Sequence, residues 1–110
     1  MIRFRNRNPI KLDKNGKVII TEKIVRHHIN LYLRARGIFY WHNLQGLGCF
    51  KGLPDIEGVH RGRHFYIEVK SPRAYVHQNP EQKEFQRRVE AEGELYILAN
   101  NVEAVEKELK

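Results

Sequence analysis

The fold is decided by Gly52-Leu53-Pro54-Asp55-Ile56-Glu57 and, a few residues later, Phe65-Tyr66-Ile67-Glu68-Val69-Lys70. In an extended segment the side chains alternate, so Tyr66, Glu68 and Lys70 share one face and Phe65, Ile67 and Val69 the other. The second face is apolar and has to pack against something. The first holds a carboxylate and an ammonium side by side. If the segment opening at Asp55 pairs with this one, two carboxylates and an ammonium converge. Carboxylate oxygens suit a hard divalent cation such as Mg²⁺, which keeps several waters and bridges to phosphate. A neighbouring Lys can orient or deprotonate a water and offset charge building on phosphorus. These groups fit metal-dependent phosphodiester hydrolysis.

On the N-terminal side, Thr21 reads as an N-cap for a helix to about Arg36, with Gly37 as its stop. Val25, Ile29, Tyr32 and Leu33 recur at helical spacing from Glu22, which therefore begins the buried face. Ile38-Phe39-Tyr40-Trp41-His42 reads as a first strand. A glycine-rich loop over 45–52 follows, and it lacks the GK[ST] ending of a nucleotide-binding P-loop, so ATP use is not expected. Asp55 to Val59 makes a second strand, and Arg61-Gly62 turns it into the Glu68 strand.

On the C-terminal side, Asn79-Pro80-Glu81 is a helix start, with an N-cap, proline at N1 and an acid in the first turn. That helix ends at Gly93. Gln82, Phe85, Gln86 and Val89 share a face, which points Gln82 toward the sheet. Glu94 to Ala99 forms a fourth strand, and a short helix from about Val102 turns Val102, Val105 and Leu109 inward. The order α-β-β-β-α-β-α predicts an α/β fold, a small mixed sheet flanked by helices.

Residues 1–20 carry Arg3, Arg5, Arg7, Lys11, Lys14 and Lys17 against Asp13 alone. Asn15-Gly16 signals a type I′ turn that would pair Lys11–Asp13 with Lys17–Ile20. The same segment also reads as a basic arm lying on nucleic acid or a second subunit, or as a poorly ordered terminus. Residues 21–110 then form the main domain.

The 110 residues allow one domain with a modest core. At 41% hydrophobic and 30% charged, the composition is globular. A net charge of +7 and a pI near 9.8 predict a polyanionic partner. Cys49 is the only cysteine, which excludes an intrachain disulfide and a cysteine zinc knuckle and favours a reducing, cytoplasmic setting. No apolar run of membrane length and no signal peptide is evident, so no membrane partner is expected.

The set Lys51-Gly52-Leu53-Pro54-Asp55, Ile67-Glu68-Val69-Lys70-Ser71-Pro72 and Glu81-Gln82-Lys83-Glu84-Phe85 resembles the PD-(D/E)xK nuclease superfamily. Within it, the likeness is to the VRR-NUC family, over about Thr21 to Leu109, closing with Gly93 to Ala99. The resemblance implies a restriction-endonuclease-like core. Asp55, Glu68 and the Val69 backbone carbonyl, with Glu22 from the first helix, would hold one or two Mg²⁺ or Mn²⁺ ions. Lys70 would act beside them, and Gln82 would orient Lys70, a water or a phosphate oxygen. Short stand-alone members resemble phage and bacterial enzymes that act as homodimers on four-way DNA junctions. This implies a homodimeric junction resolvase in the cytoplasm of a bacterial or phage-infected cell. Longer relatives imply a flap-cutting repair nuclease instead.

Each residue also has a plainer reading. Pro54-Asp55 alone is a turn pair, and Glu68 with Lys70 an exposed cross-strand ion pair. Glu22 alone is a first-turn acid favoured by the helix dipole. Together, with Gln82 on the next helix and a basic chain around them, they read as a nuclease site. Glu57 shares the strand face of Asp55 and is the second choice for its role. The six histidines show no metal spacing; His64, on the Tyr66–Glu68 face, is the one best placed to meet phosphate, and packing or a surface position is its plainer and favoured reading. Lys51, Arg73, Lys83, Arg87 and Arg88 are candidate phosphate contacts, or simply a wet surface. A basic binding module with a degenerate nuclease fold is the non-catalytic alternative.

Overall fold

Thr21 opens the first helix as expected: its hydroxyl accepts the Ile24 N–H at 3.2 Å, and α1 runs Glu22–Ala35. A computed structural model of the chain describes residues 11–44, 50–73 and 78–110. Arg3, Arg5 and Arg7, most of the glycine-rich loop with Cys49, and His77 lie outside the described residues. After α1, Gly37 takes φ +65°, the left-handed conformation a glycine reaches without strain. The strands are β1 Phe39–His42, β2 Ile56–His60, β3 Arg63–Val69 and β4 Leu95–Ala99. Between β3 and β4 lies α2, Pro80–Ala91, and α3, Glu103–Glu106, closes the fold.

The strands lie in the order β1-β2-β3-β4. The first three form an antiparallel meander, and β4 runs parallel to β3. A parallel neighbour needs a crossover, and α2 is that crossover. The β2–β3 hairpin closes through Arg61 at φ +52° and Gly62 at φ +76°, a two-residue turn with both centres left-handed. Val25, Ile29 and Leu33 of α1 join Ile56, Phe65, Ile67, Val69, Ile97 and Ala99 of the sheet and Val105 and Leu109 in one buried cluster. This is the apolar face that alternation predicts. Phe85 of α2 packs on the reverse face, its ring 5.1 Å from that of Tyr66 and 6.5 Å from that of Tyr96. The face carrying Glu68 is thus half covered, and α2 begins beside it.

The N-terminal hairpin forms, with Leu12 paired to Val18, but its turn is not type I′. That type needs two left-handed residues, and here only Gly16 has one, at φ +79°. The cause is Asp13, whose Oδ1 accepts the N–H groups of Asn15 at 2.8 Å and Lys17 at 3.0 Å. Those bonds stabilise a longer loop, closed by Asp13 N–H donating to Lys17 O at 2.8 Å, with Gly16 N–H donating to Asp13 O at 3.0 Å inside it.

Candidate active site

Asp55, Glu68, Lys70 and Gln82 meet where β2 begins, β3 ends and α2 starts. Asp55 directly precedes β2. Its Oδ2 accepts the Val69 N–H at 2.8 Å, which ties the start of one strand to the end of the next. Asn43 holds the same turn from β1's side. Its N–H donates to Asp55 O at 2.9 Å and its Nδ2 to Pro54 O at 3.0 Å. The Pro-Asp pair is therefore a pinned turn and a carboxylate holder at once.

Gln82 connects the rest. It is the third residue of α2 and completes a capping box: its backbone N–H donates to Asn79 Oδ1 at 2.8 Å, and its Oε1 accepts the Asn79 N–H at 3.0 Å. The same amide reaches the sheet, with Nε2 donating to Glu68 Oε1 at 2.8 Å and Oε1 accepting from Lys70 Nζ at 3.1 Å. Lys70 Nζ also lies 3.8 Å from Glu68 Oε1. A single primary amide thus fixes both titratable side chains at the end of β3, Glu68 and Lys70, and its own helix start.

Glu68 is buried, at 4% exposure. Burial lifts its carboxyl to about 8; the neighbouring Asp55 charge adds to this, Lys70 opposes it, and Glu22 adds further. At neutral pH Glu68 therefore holds its proton. Its Oε2 receives no hydrogen bond from a protein donor, and the protonated carboxyl has the Asp55 carboxylate as its hydrogen-bond acceptor. A buried carboxyl oxygen without a donor, beside a second carboxylate, calls for a proton or a cation. The residues present therefore fit a divalent cation, with oxygen donors on Asp55 and Glu68. The Val69 carbonyl falls on the same side. Lys70 N–H donates to Ala99 O of β4 at 2.9 Å, so the trans peptide turns the Val69 carbonyl away from β4, toward Asp55.

Glu22 does not close on this pair. Its Oε1 meets Arg26 Nη2 at 2.7 Å, and the carboxylate is about half exposed. Among the described residues no three His, Cys, Asp or Glu side chains surround one point. Glu57, the second choice for Asp55's role, belongs to a different cluster. His64 Nε2 lies 2.8 Å from Glu57 Oε2, His64 Nδ1 lies 3.0 Å from Glu94 Oε2, and Asn43 Nδ2 donates to Glu57 Oε1 at 3.1 Å. His64 is therefore engaged by carboxylates on both ring nitrogens, not aimed at the Asp55–Glu68 pair. Lys51, Arg73, Lys83, Arg87 and Arg88 are all exposed.

Three contributors escaped the reading of the sequence. Arg26 lies 3.6 Å from Asp55 Oδ1; its i, i+4 spacing offers the pairing with Glu22 but gives no sign of the reach to Asp55. Asn43 gave no signal, because its partners, two backbone carbonyls and the Glu57 carboxylate, lie eleven and more residues away. Gly52, at φ +86°, lies against the first turn of α2, where a Cβ would collide with the Glu81 carbonyl.

A scan against protein-family models, a search of curated proteins and a search of solved structures each returned no match.

Proposed function

We propose that the chain is a Mg²⁺- or Mn²⁺-dependent endodeoxyribonuclease that cuts branched DNA, acting as a homodimer on four-way junctions. The observation that carries this reading is the Gln82 amide joining Glu68 and Lys70, with Asp55 tied to the next residue, Val69. A surface ion pair would have no need of a half-buried amide bridge or of a carboxyl 4% exposed. When bound, the divalent cation supplies Lewis acidity toward water and a phosphate oxygen.

The chain's own groups divide the remaining work. Asp55 and Glu68 would hold the ion, and Glu68 would give up its proton on doing so. Lys70, steadied by Gln82 Oε1, donates hydrogen bonds to the attacking water or to a phosphate oxygen and offsets negative charge as it develops. Because Gln82 caps α2, its position is set by the fold rather than by substrate. The net charge of +7 favours a polyanionic partner. Junction resolution needs two nicks on two strands, so two copies are required, and one small domain grips little duplex alone. The dimer and a cytoplasmic location belong to the proposal; among the described residues no helix is long and apolar enough to cross a membrane.

The test is cleavage of labelled four-way junction, flap and linear duplex in Mg²⁺, Mn²⁺ or EDTA. Symmetric, metal-dependent nicks in the junction alone support a dimeric resolvase. Flap cutting would point to the repair-nuclease alternative. Tight binding with no cleavage in any metal would point to a non-catalytic binding module.

A further inference from the structure

Arg26 brings a fixed positive charge to the carboxylates. It stands one helical turn after Glu22 on α1, and its Nη2 lies 2.7 Å from Glu22 Oε1 and 3.6 Å from Asp55 Oδ1. The pair with Glu22 alone would be an ordinary helix-surface contact. The reach to Asp55 is different, because Asp55 belongs to another element and its Oδ2 is already engaged by Val69 N–H. The guanidinium therefore sits at the Asp55 oxygen that the backbone leaves over. The contact is partly shielded, with side-chain exposures of 29% for Arg26 and 23% for Asp55, so salt screens it less than a surface pair.

A guanidinium does not lose its proton, so it cannot step aside by neutralising. A second cation at Asp55 must displace it or bind against its repulsion. The helix itself is anchored by Val25 and Ile29, both buried in the core. The movement therefore falls to the Arg26 side chain. A displaced guanidinium next to a phosphodiester has an obvious new partner, since its planar fork matches phosphate oxygens in pairs.

We propose that Arg26 is the resident counter-cation of the candidate metal site, holding Asp55 and Glu22 until a divalent ion enters, then passing to a phosphate of the bound DNA strand. This rests on the reading of the site as a metal centre. It predicts opposed effects, with loss of Arg26 strengthening metal binding and weakening DNA binding. A residue that only braced α1 would not move the two in opposite directions.

The experiment titrates Mn²⁺ calorimetrically into wild type, Arg26→Gln, Arg26→Lys and Asp55→Asn, with circular dichroism in EDTA as the check of folding. Arg26→Gln is expected to bind Mn²⁺ about tenfold more tightly, the order of effect of removing one like charge nearby in a partly solvated site. Arg26→Lys keeps the charge and loses the fork, so its Mn²⁺ affinity stays within about threefold of wild type. Asp55→Asn loses Mn²⁺ binding. Junction binding in Mn²⁺, measured by anisotropy in a Lys70→Ala background that blocks cleavage, should weaken several-fold with either Arg26 variant. The lysine variant keeps the test open should the glutamine variant fail to fold. Unchanged or weaker Mn²⁺ binding by Arg26→Gln, or undiminished junction binding by both variants, overturns the inference and leaves the metal site standing if Asp55→Asn still loses the ion. No Mn²⁺ uptake by folded wild type overturns both.

Discussion

Replacing Glu68 by glutamine separates the two duties of the buried carboxyl. In the folded chain its carboxyl is lifted from 4.5 to about 8, by burial first and by Asp55 second. The folded state then binds this proton more tightly than the unfolded chain does. Stability from this group is full below about 4.5, falls as pH rises through the window to about 8, and levels off above it. At about 1.4 kcal/mol per pH unit, the fall across that window is roughly 5 kcal/mol. That is a large share of the ~5–15 kcal/mol that holds a typical domain together. The glutamine amide carries no charge to desolvate. Its oxygen can still accept from Gln82 Nε2, and its NH₂ would donate to Asp55 in place of the protonated carboxyl. Urea unfolding of both proteins in EDTA from pH 5 to pH 9 gives a difference curve in which other titrations cancel. Glu68→Gln should gain on wild type steadily up to pH 8 and then run parallel to it. Adding Mn²⁺ at pH 8 should restore wild type and leave the variant unmoved. A flat difference curve, or a variant that loses ground as pH rises, would refute the burial argument.

Gln82→Ala removes the donor to Glu68, the acceptor for Lys70 and half of the capping box. It should cost roughly 2 kcal/mol in unfolding at pH 8 and slow junction cleavage at least about tenfold. Gly52→Ala forces a Cβ against the Glu81 carbonyl and to 2.8 Å from Gln82 N, at φ +86°. A loss of about 2–4 kcal/mol is expected. Gly16→Ala is the control: its φ is also positive but nothing lies within 4 Å, so only the smaller left-handed penalty of ~1–2 kcal/mol should appear. Equal losses in the two variants would remove the case for close approach at α2. Binding of branched DNA should fall about 10²-fold or more between 50 and 200 mM salt, because phosphate contacts release counterions; a flat response by anisotropy would count against backbone-dominated binding.

The fold was readable because its local signals agree. Alternation in Phe65–Lys70 assigned both sheet faces, and Asn79-Pro80 marked where α2 starts, so Gln82's direction followed from helical spacing alone. Gly37 and Gly93 marked two helix ends by their left-handed backbone. What stayed hidden depends on side chains choosing among partners. Glu22 lies on the expected helix at the expected residue, yet its carboxylate goes to Arg26, a choice that one turn of helix offers and spacing does not decide. Glu57 and Asp55 share a strand face, and only the arrival of His64 and Asn43 at Glu57 separates them. The turn at Asn15-Gly16 was misjudged because the dipeptide rule ignores Asp13, whose carboxylate recruits two backbone N–H groups.

The most direct test of the account compares wild type with Lys70→Ala on a labelled four-way junction in Mn²⁺, scoring cleavage and binding in the same samples. Lys70 touches the Gln82 amide and neighbours Glu68 Oε1, while the fold's core lies on the opposite face of the sheet. The account predicts metal-dependent nicks by wild type, a loss of about 10²-fold or more in the variant, and junction affinity within a few-fold. Cleavage by Lys70→Ala at the wild-type rate would contradict it, as would a wild type that binds the junction tightly and never cuts.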